Sequence, residues 1–385
     1  MKLKQNPHFL KINYLCNKFS TMKVKDVIHI IEETIPPVYA EDFDNVGLLV
    51  GNSNAELKGI LITHDTLEAV VDEAIKKNLN LIVSFHPIIF SGLKSLTGRN
   101  YVERTVMKAI KHDIAIYATH TALDNQAFGV SGILAQKLGL TNQKVLQLQS
   151  GTLRQLVTYA PIADAEKVRN ALFEAGAGKI GNYSECSFNV EGTGTFKPLE
   201  NANPYVGEQG KRHYEKEERI SVIYPKHKES KILQNLFEKH PYEEVAYEIL
   251  KLQNQHQEIG LGIVGELPEP VDEHEYLKKL KKHLNLSCIR HSALRGKTIK
   301  KVAILGGSGS FTIQSAKAAG ADLLITADLK YHDFFQAENS LILADIGHYE
   351  SEQYTKLFLF ELLTKKIRNF AVALSEINTN PINYL

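Results

Sequence analysis

The sequence predicts an α/β protein: a duplicated three-layer α/β/α core carrying an inserted α+β domain of ferredoxin-like order. Three observations predict it. Short, continuously apolar strands alternate with amphipathic helices, first in residues 22–150 and again in 256–385. Strands of that kind are buried on both faces of a parallel sheet. The two stretches also align almost without gaps, "GILITHD…LNLIVSFH" against "VAILGGS…ADLLITAD". Between them, residues 151–255 read β-α-β-β-α-β, the order of a split βαβ unit on an antiparallel sheet.

Residues 1–21 carry four lysines and no acid, and lack the apolar centre and cleavage site of a secretory signal. They are expected to be a disordered extension, or to precede the true start at Met22. Residues 24–35 have helical apolar spacing closed by Pro36-Pro37. "AEDFDNVGLLVG" is a loop entering a short strand. "GILITHD" is a strand, and "TLEAVVDEAIKKN" a helix with Thr66 as its N-cap. "LNLIVSFHP" is a strand, "VERTVMKAIKHD" a helix and "IAIYATH" a strand; "TALDNQAFG" then reads as loop and "GVSGILAQKLG" as helix. The insert runs "QLVTYAPI", helix "DAEKVRNALFEAGA", "CSFNVEGTGTFKP", "RISVIYPK", helix "ESKILQNLFEKH" and "VAYEILKL". The second half repeats strand and helix through "KKVAILGG", "SFTIQSAKAAG", "ADLLITADLKYHD" and "SLILADIGHYESE", ending on the helix "QYTKLFLFELLTKK".

Composition narrows the function. A chain of 385 residues with 43% hydrophobic and 23% charged residues is ordinary for a globular protein. A net charge of +1 sets up no global field toward nucleic acid or anionic membrane, and no apolar run approaches the ~20 residues of a membrane span. Cys16, Cys186 and Cys288 are far apart, so neither a disulfide framework nor a cysteine zinc site is expected, and a reducing cytoplasm fits.

Chemistry is expected past the strand ends, where open α/β sheets bind ligands. "LIVSFHPIIF" stops an apolar run at His86, which taken alone reads more readily as a packed core residue. The repeat changes its weight. The following strands end in "IAIYATHTALD" and "LILADIGHYESE", and each places a histidine four residues before an acid: His120 with Asp124, His348 with Glu352. Imidazole with carboxylate suits zinc, manganese or iron, and a carboxylate bridges two metals. The bland alternatives are an N-cap for His120, an Asx turn for Asp124 and a solvated helix start for His348 and Glu352. "GGSGSF" follows a strand and precedes a helix, so Gly307, Ser308 and Gly309 are candidates to cradle a phosphate. "KYHD" supplies Tyr331 and His332 as candidate substrate contacts, unless it is an ordinary polar loop.

Taken in order, "AEDFDNVGLLVG", "FHPIIF", "THTALDN", "GGSGS", "TADLKYHD" and "GHYESE" resemble the GTP cyclohydrolase I type 2 family, also called the Ngg-interacting-factor-three-like family. The insert, with "ECSFNVEGTGTFKP" and "HPYEEVAYEI", resembles its long bacterial members. The resemblance covers the chain from Met22 onward. It implies a homohexamer with one or two divalent ions per subunit. The implied ligands are His86, Asp124, His348 and Glu352, with Glu352 as the bridge. It further implies a small-molecule substrate, a nucleotide in its specific form, opened at the guanine ring with release of formate. His120 and His332 would carry protons. One residue departs from the pattern. Phe85 stands where the family often has histidine, so a second metal would lose one ligand. The rival expectation is a regulatory protein in which the metal is structural or sensory.

Overall fold

The apolar strands assemble into two mixed sheets, with a third sheet between them in the chain. The computed structural model describes residues 22–368 and 370–385, so the extension expected at 1–21 lies outside the described residues. The first sheet holds β1 (Gly47–Val50), β2 (Ile60–Thr63), β3 (Leu81–Ser84) and β4 (Ala115–Ala118). β2, β3 and β4 are parallel, and β1 closes the β4 edge in antiparallel sense. Every residue of β2, β3 and β4 is buried, as their continuous apolar sequences require.

After β5 (Thr141–Leu148) the chain enters a four-stranded antiparallel sheet of β6 (Leu153–Pro161), β7 (Ser187–Phe196), β8 (His213–Pro225) and β9 (Tyr247–Lys251). Its strand order is β7-β8-β6-β9. Helices Ile162–Glu174 and Glu229–Lys239 pack on it through Val168, Leu172, Ile232 and Leu236. The chain then returns through β10 (Gly260–Asp272), β11 (Arg290–His291), β12 (Thr298–Ser308), β13 (Leu323–Ala327), β14 (Ile342–Asp345) and β15 (Val372–Leu374).

The second mixed sheet is ordered β11-β14-β13-β12-β10-β5, and β12, β13 and β14 are parallel. The triplet β4-β3-β2 therefore recurs as β14-β13-β12. The halves also interlock. β15 joins the first sheet, parallel to β2, and helix Thr355–Lys366 sinks Leu359 and Leu363 into the core of that sheet. β5 crosses the other way and pairs with β10. So the sheets do not divide where the span 22–150 ends. Three local expectations change as well. The helix expected to be capped by Thr66 starts at Glu68, with Leu67 at its N-cap and no side-chain cap. Residues His120–Asp124 form a helical turn rather than loop, because the Asp44 carboxylate accepts from the Thr121 N–H and supplies the missing cap. Tyr331–Ala337 forms a short 3-10 helix. No helix among the described residues is long and apolar enough to cross a membrane.

Candidate metal centre

Parallel pairing continues for a residue or two past the strand ends, and this positions the first histidines. His64 follows β2. The His86 N–H donates to the His64 carbonyl at 3.0 Å, and the His120 N–H to the Phe85 carbonyl at 2.9 Å. His64, His86 and His120 are thereby presented side by side beyond β2, β3 and β4. The other half supplies Asp328 beyond β13 and the helical turn His348–Glu352 beyond β14. Four-residue spacing in that turn puts His348 and Glu352 on one face.

Glu352 is only 4% exposed, and its Oε2 faces three imidazoles. The His64 Nε2 lies 3.5 Å away, the His86 Nε2 3.3 Å and the His348 Nε2 3.2 Å. Glu352 Oε2 has no hydrogen-bond partner, and neither does either nitrogen of buried His64. Orphaned polar atoms in such a place are costly unless something else satisfies them. Each imidazole nitrogen stands 3.2–3.5 Å from Glu352 Oε2, the spacing of two donors that share one ion through bonds of about 2.0–2.1 Å. The donor atoms of His64, His86 and Glu352 all lie within 4.8 Å of one another. The residues present thus fit a divalent ion.

Behind three of the rings stands an aspartate. His86 Nδ1 donates to Asp65 at 2.8 Å, His348 Nδ1 to Asp328 at 2.7 Å and His120 Nδ1 to Asp44 at 2.7 Å. A proton held on Nδ1 turns Nε2 inward, where it offers its lone pair once an ion takes the place of its own proton, the arrangement that orients metal-binding histidines. Burial opposes charge on His86, but the hydrogen bond to Asp65 and the Glu352 carboxylate outweigh it and lift the ring to about 10. Burial opposes charge on His348 too, and Glu352 with Asp328 raise it to about 9. Glu352 is pushed up by burial yet held well below the carboxylate range by His348, His64 and His86. Asp124 moves the other way: burial and then the charge of Glu352 raise it well above that range. Two carboxylates driven apart in this manner share a space that calls for positive charge.

Of the residues expected from sequence, His86, His348 and Glu352 meet directly, and Asp124 lies within their electrostatic reach. His120 places its ring 5.2 Å from His86. The rings that His332 meets are instead Tyr331 and Phe335, at 5.2 and 6.1 Å. The glycine loop packs the centre as much as it opens one. At Gly307, with φ +69°, a Cβ would lie 2.3 Å from Glu352 Oε1, so only glycine leaves room for that carboxylate. The Gly307 N–H donates to Ser351, which satisfies one of the amides expected to face a phosphate, and the neighbouring Gly306 N–H donates to Ser131. The Ser308 hydroxyl donates to Asp328. Phe85 is fully buried and stacks on His64 at 5.3 Å, with 19° between the planes. It forms a wall, and His64 reaches Glu352 where Phe85 cannot. His64 was missed in the sequence reading, although it ends its strand as His86 does.

The whole of residues 22–381 matches the Duf34/NIF3 (NGG1p interacting factor 3) family. The chain belongs to the Duf34/NIF3 family. Relatives in this family include a Bacillus subtilis protein named GTP cyclohydrolase 1 type 2 homolog, 39% identical over 94% of this chain and 98% of its own length. A Staphylococcus aureus protein of the same name is 36% identical over 94% of this chain and 100% of its own. Among solved structures, a Bacillus cereus protein related to NIF3 is 36% identical, with a TM-score of 0.83 over 95% of this chain and 100% of that one. The Duf34/NIF3 fold thus accounts for both interlocked sheets and the sheet between them.

Proposed function

We propose that this chain is a divalent-metal-dependent hydrolase acting on a nucleotide, in the manner that the names of its relatives suggest for GTP. One observation carries the reading: three imidazole nitrogens surround an unpartnered carboxylate oxygen at 3.2–3.5 Å. His64, His86 and Glu352 would hold the ion, with His348 reaching the group through Glu352 and Asp124 as a further carboxylate. A zinc, manganese or iron ion there supplies an activated water at neutral pH. The chain's own residues do the rest. Asp44 fixes His120 so that its Nε2 holds or moves a proton beside the centre. Phe90, 50% exposed, lies 6.1 Å from His120 and 6.4 Å from Phe43. Those rings offer flat faces against which a purine stacks. Tyr331, 72% exposed, is the further substrate contact carried by this reading. A homohexamer and a cytoplasmic location belong to the same proposal.

The test is elemental analysis of the purified chain, followed by GTP with Mn²⁺, Zn²⁺ or Fe²⁺ and assay of formate. Glu352→Gln should lose both metal and turnover. A chain that loads fully with metal and releases no formate is a sensor rather than a hydrolase. A chain that binds none of these ions overturns the centre itself.

A further inference from the structure

The inserted sheet carries a cavity of about 540 Å³, a volume suited to a small organic ligand, and its lining shares no residue with the metal centre. Phe196, Tyr205 and Tyr242 line one corner. The Phe196 and Tyr242 rings lie 5.9 Å apart at 60°, and the Tyr205 and Tyr242 rings 6.3 Å apart at 56°. Faces set at such angles surround a guest rather than stack on each other. The polar groups on the lining are mostly acidic: Glu217, Glu243 and Glu244 against the single cation Lys197.

The cage is built in advance of any guest. Buried His240 accepts from the Tyr242 N–H at 3.1 Å and donates to the Tyr159 carbonyl at 2.9 Å, which fixes the turn bearing Tyr242. The Tyr242 hydroxyl then donates to Glu217 Oε1 at 2.9 Å. Gly194 leaves room for Glu217 Oε2 where it stands, since a Cβ at that residue would lie 2.1 Å from it. On the far rim, Glu243 accepts from the Asn203 N–H at 2.9 Å and ties the turn to the loop carrying Tyr205. An aromatic corner with a pre-placed carboxylate is complementary to a positive charge carried on an apolar body.

We propose that this cavity binds a small organic cation bearing an aromatic ring, with Glu217 taking the charge and Phe196, Tyr205 and Tyr242 the ring. The chain contains no tryptophan, so an indole probe is seen without background. The experiment is fluorescence anisotropy of tryptamine titrated with the full chain in EDTA, beside its neutral analogue tryptophol and its anionic analogue indole-3-acetate. Tryptamine should saturate, and the two analogues should bind at least about tenfold more weakly. Glu217→Gln should weaken tryptamine about tenfold. Tyr205→Ala, at an exposed wall residue, should weaken it about fivefold and decides the matter if the first variant fails to fold. Equal binding of the three probes, unchanged binding by the folded variants, or no saturation of tryptamine overturns the proposal.

Discussion

Glu352 governs the centre because one oxygen, Oε2, faces His64, His86 and His348 at once. Glu352→Gln keeps the shape and removes the charge. Affinity for Mn²⁺ or Zn²⁺, measured by competition with a chelating dye, should fall by at least ~100-fold. Asp65 acts one step back, through the Nδ1 of His86. Asp65→Asn should cost roughly 10–100-fold, the usual effect of removing the group that orients a ligand. An Asp65 variant weaker than the Glu352 variant would reverse the assignment. How far these residues could be read in advance follows from their neighbours. His348 and Glu352 announced themselves through a repeated spacing, with His120 and Asp124 as their mates. His64 has no such mate: with "GILITHD" set against "VAILGGS", it falls opposite Gly307. That glycine is the one whose missing side chain makes room for Glu352. Asp44, Asp65 and Asp328 lie 76, 21 and 20 residues from their histidines, so only the folded sheet brings each pair together.

Among elements, the parallel triplets were legible and the strands that interlock them were not. β2 to β4, the centre of β12 from Val302 to Leu305, and β13 and β14 are buried apolar runs, which a sequence displays openly. β5 is exposed over its first four residues and β15 has only three, so neither carries a pattern that names its partner. Yet the segment after β15 matters to the centre. The Ser375 N–H extends the pairing to the Ile62 carbonyl at 2.8 Å, and the Thr379 hydroxyl then donates to Asp65 Oδ2 at 2.7 Å. Asp65 is thus held by Thr379 on one oxygen and spends the other on His86. Thr379→Val keeps the volume but leaves a carboxylate oxygen short of a donor, a loss of about 1–2 kcal/mol. Metal affinity should drop about fivefold to tenfold while the far-UV spectrum stays unchanged. Unaltered affinity would mean that the strap closes the sheet edge without tuning the site.

At the scale of the whole molecule, the inserted sheet meets the core at one half-buried contact whose protonation sets its strength. The hydroxyl of fully buried Tyr39 in the core donates to His227 Nδ1 at 2.7 Å, just after β8. Burial pushes the Tyr39 phenol up to about 12, so it stays a donor. Burial keeps His227 neutral too, so its Nδ1 can accept from the phenol. Burial, and after it the charges of Lys228 and His256, lower its imidazole from 6.5 to about 4. The groups facing this pair are cationic from both sides: Lys226 sits 5.1 Å over the Tyr39 ring, and the Arg154 charge also reaches it. Because the folded value is depressed, the unfolded chain takes up a proton below about pH 6.5 while the folded chain resists until about 4. Stability from this contact is therefore complete above that upper value and is lost as pH falls toward the lower one. Discounted for partial exposure, the loss by pH 5 is on the order of 1–2 kcal/mol. In a chain of 385 residues that corresponds to a melting shift of about 1–2 °C. His227→Gln keeps an acceptor for Tyr39 and removes the titration. Its melting point should fall less between pH 7 and 5 than that of the unaltered chain, by about that margin. The direct check is NMR of ring-labelled histidine, where one signal, absent from the variant, should stay neutral until near pH 4. A His227 signal that titrates near 6.5 would show that this contact does not hold the insert to the core by way of a neutral ring.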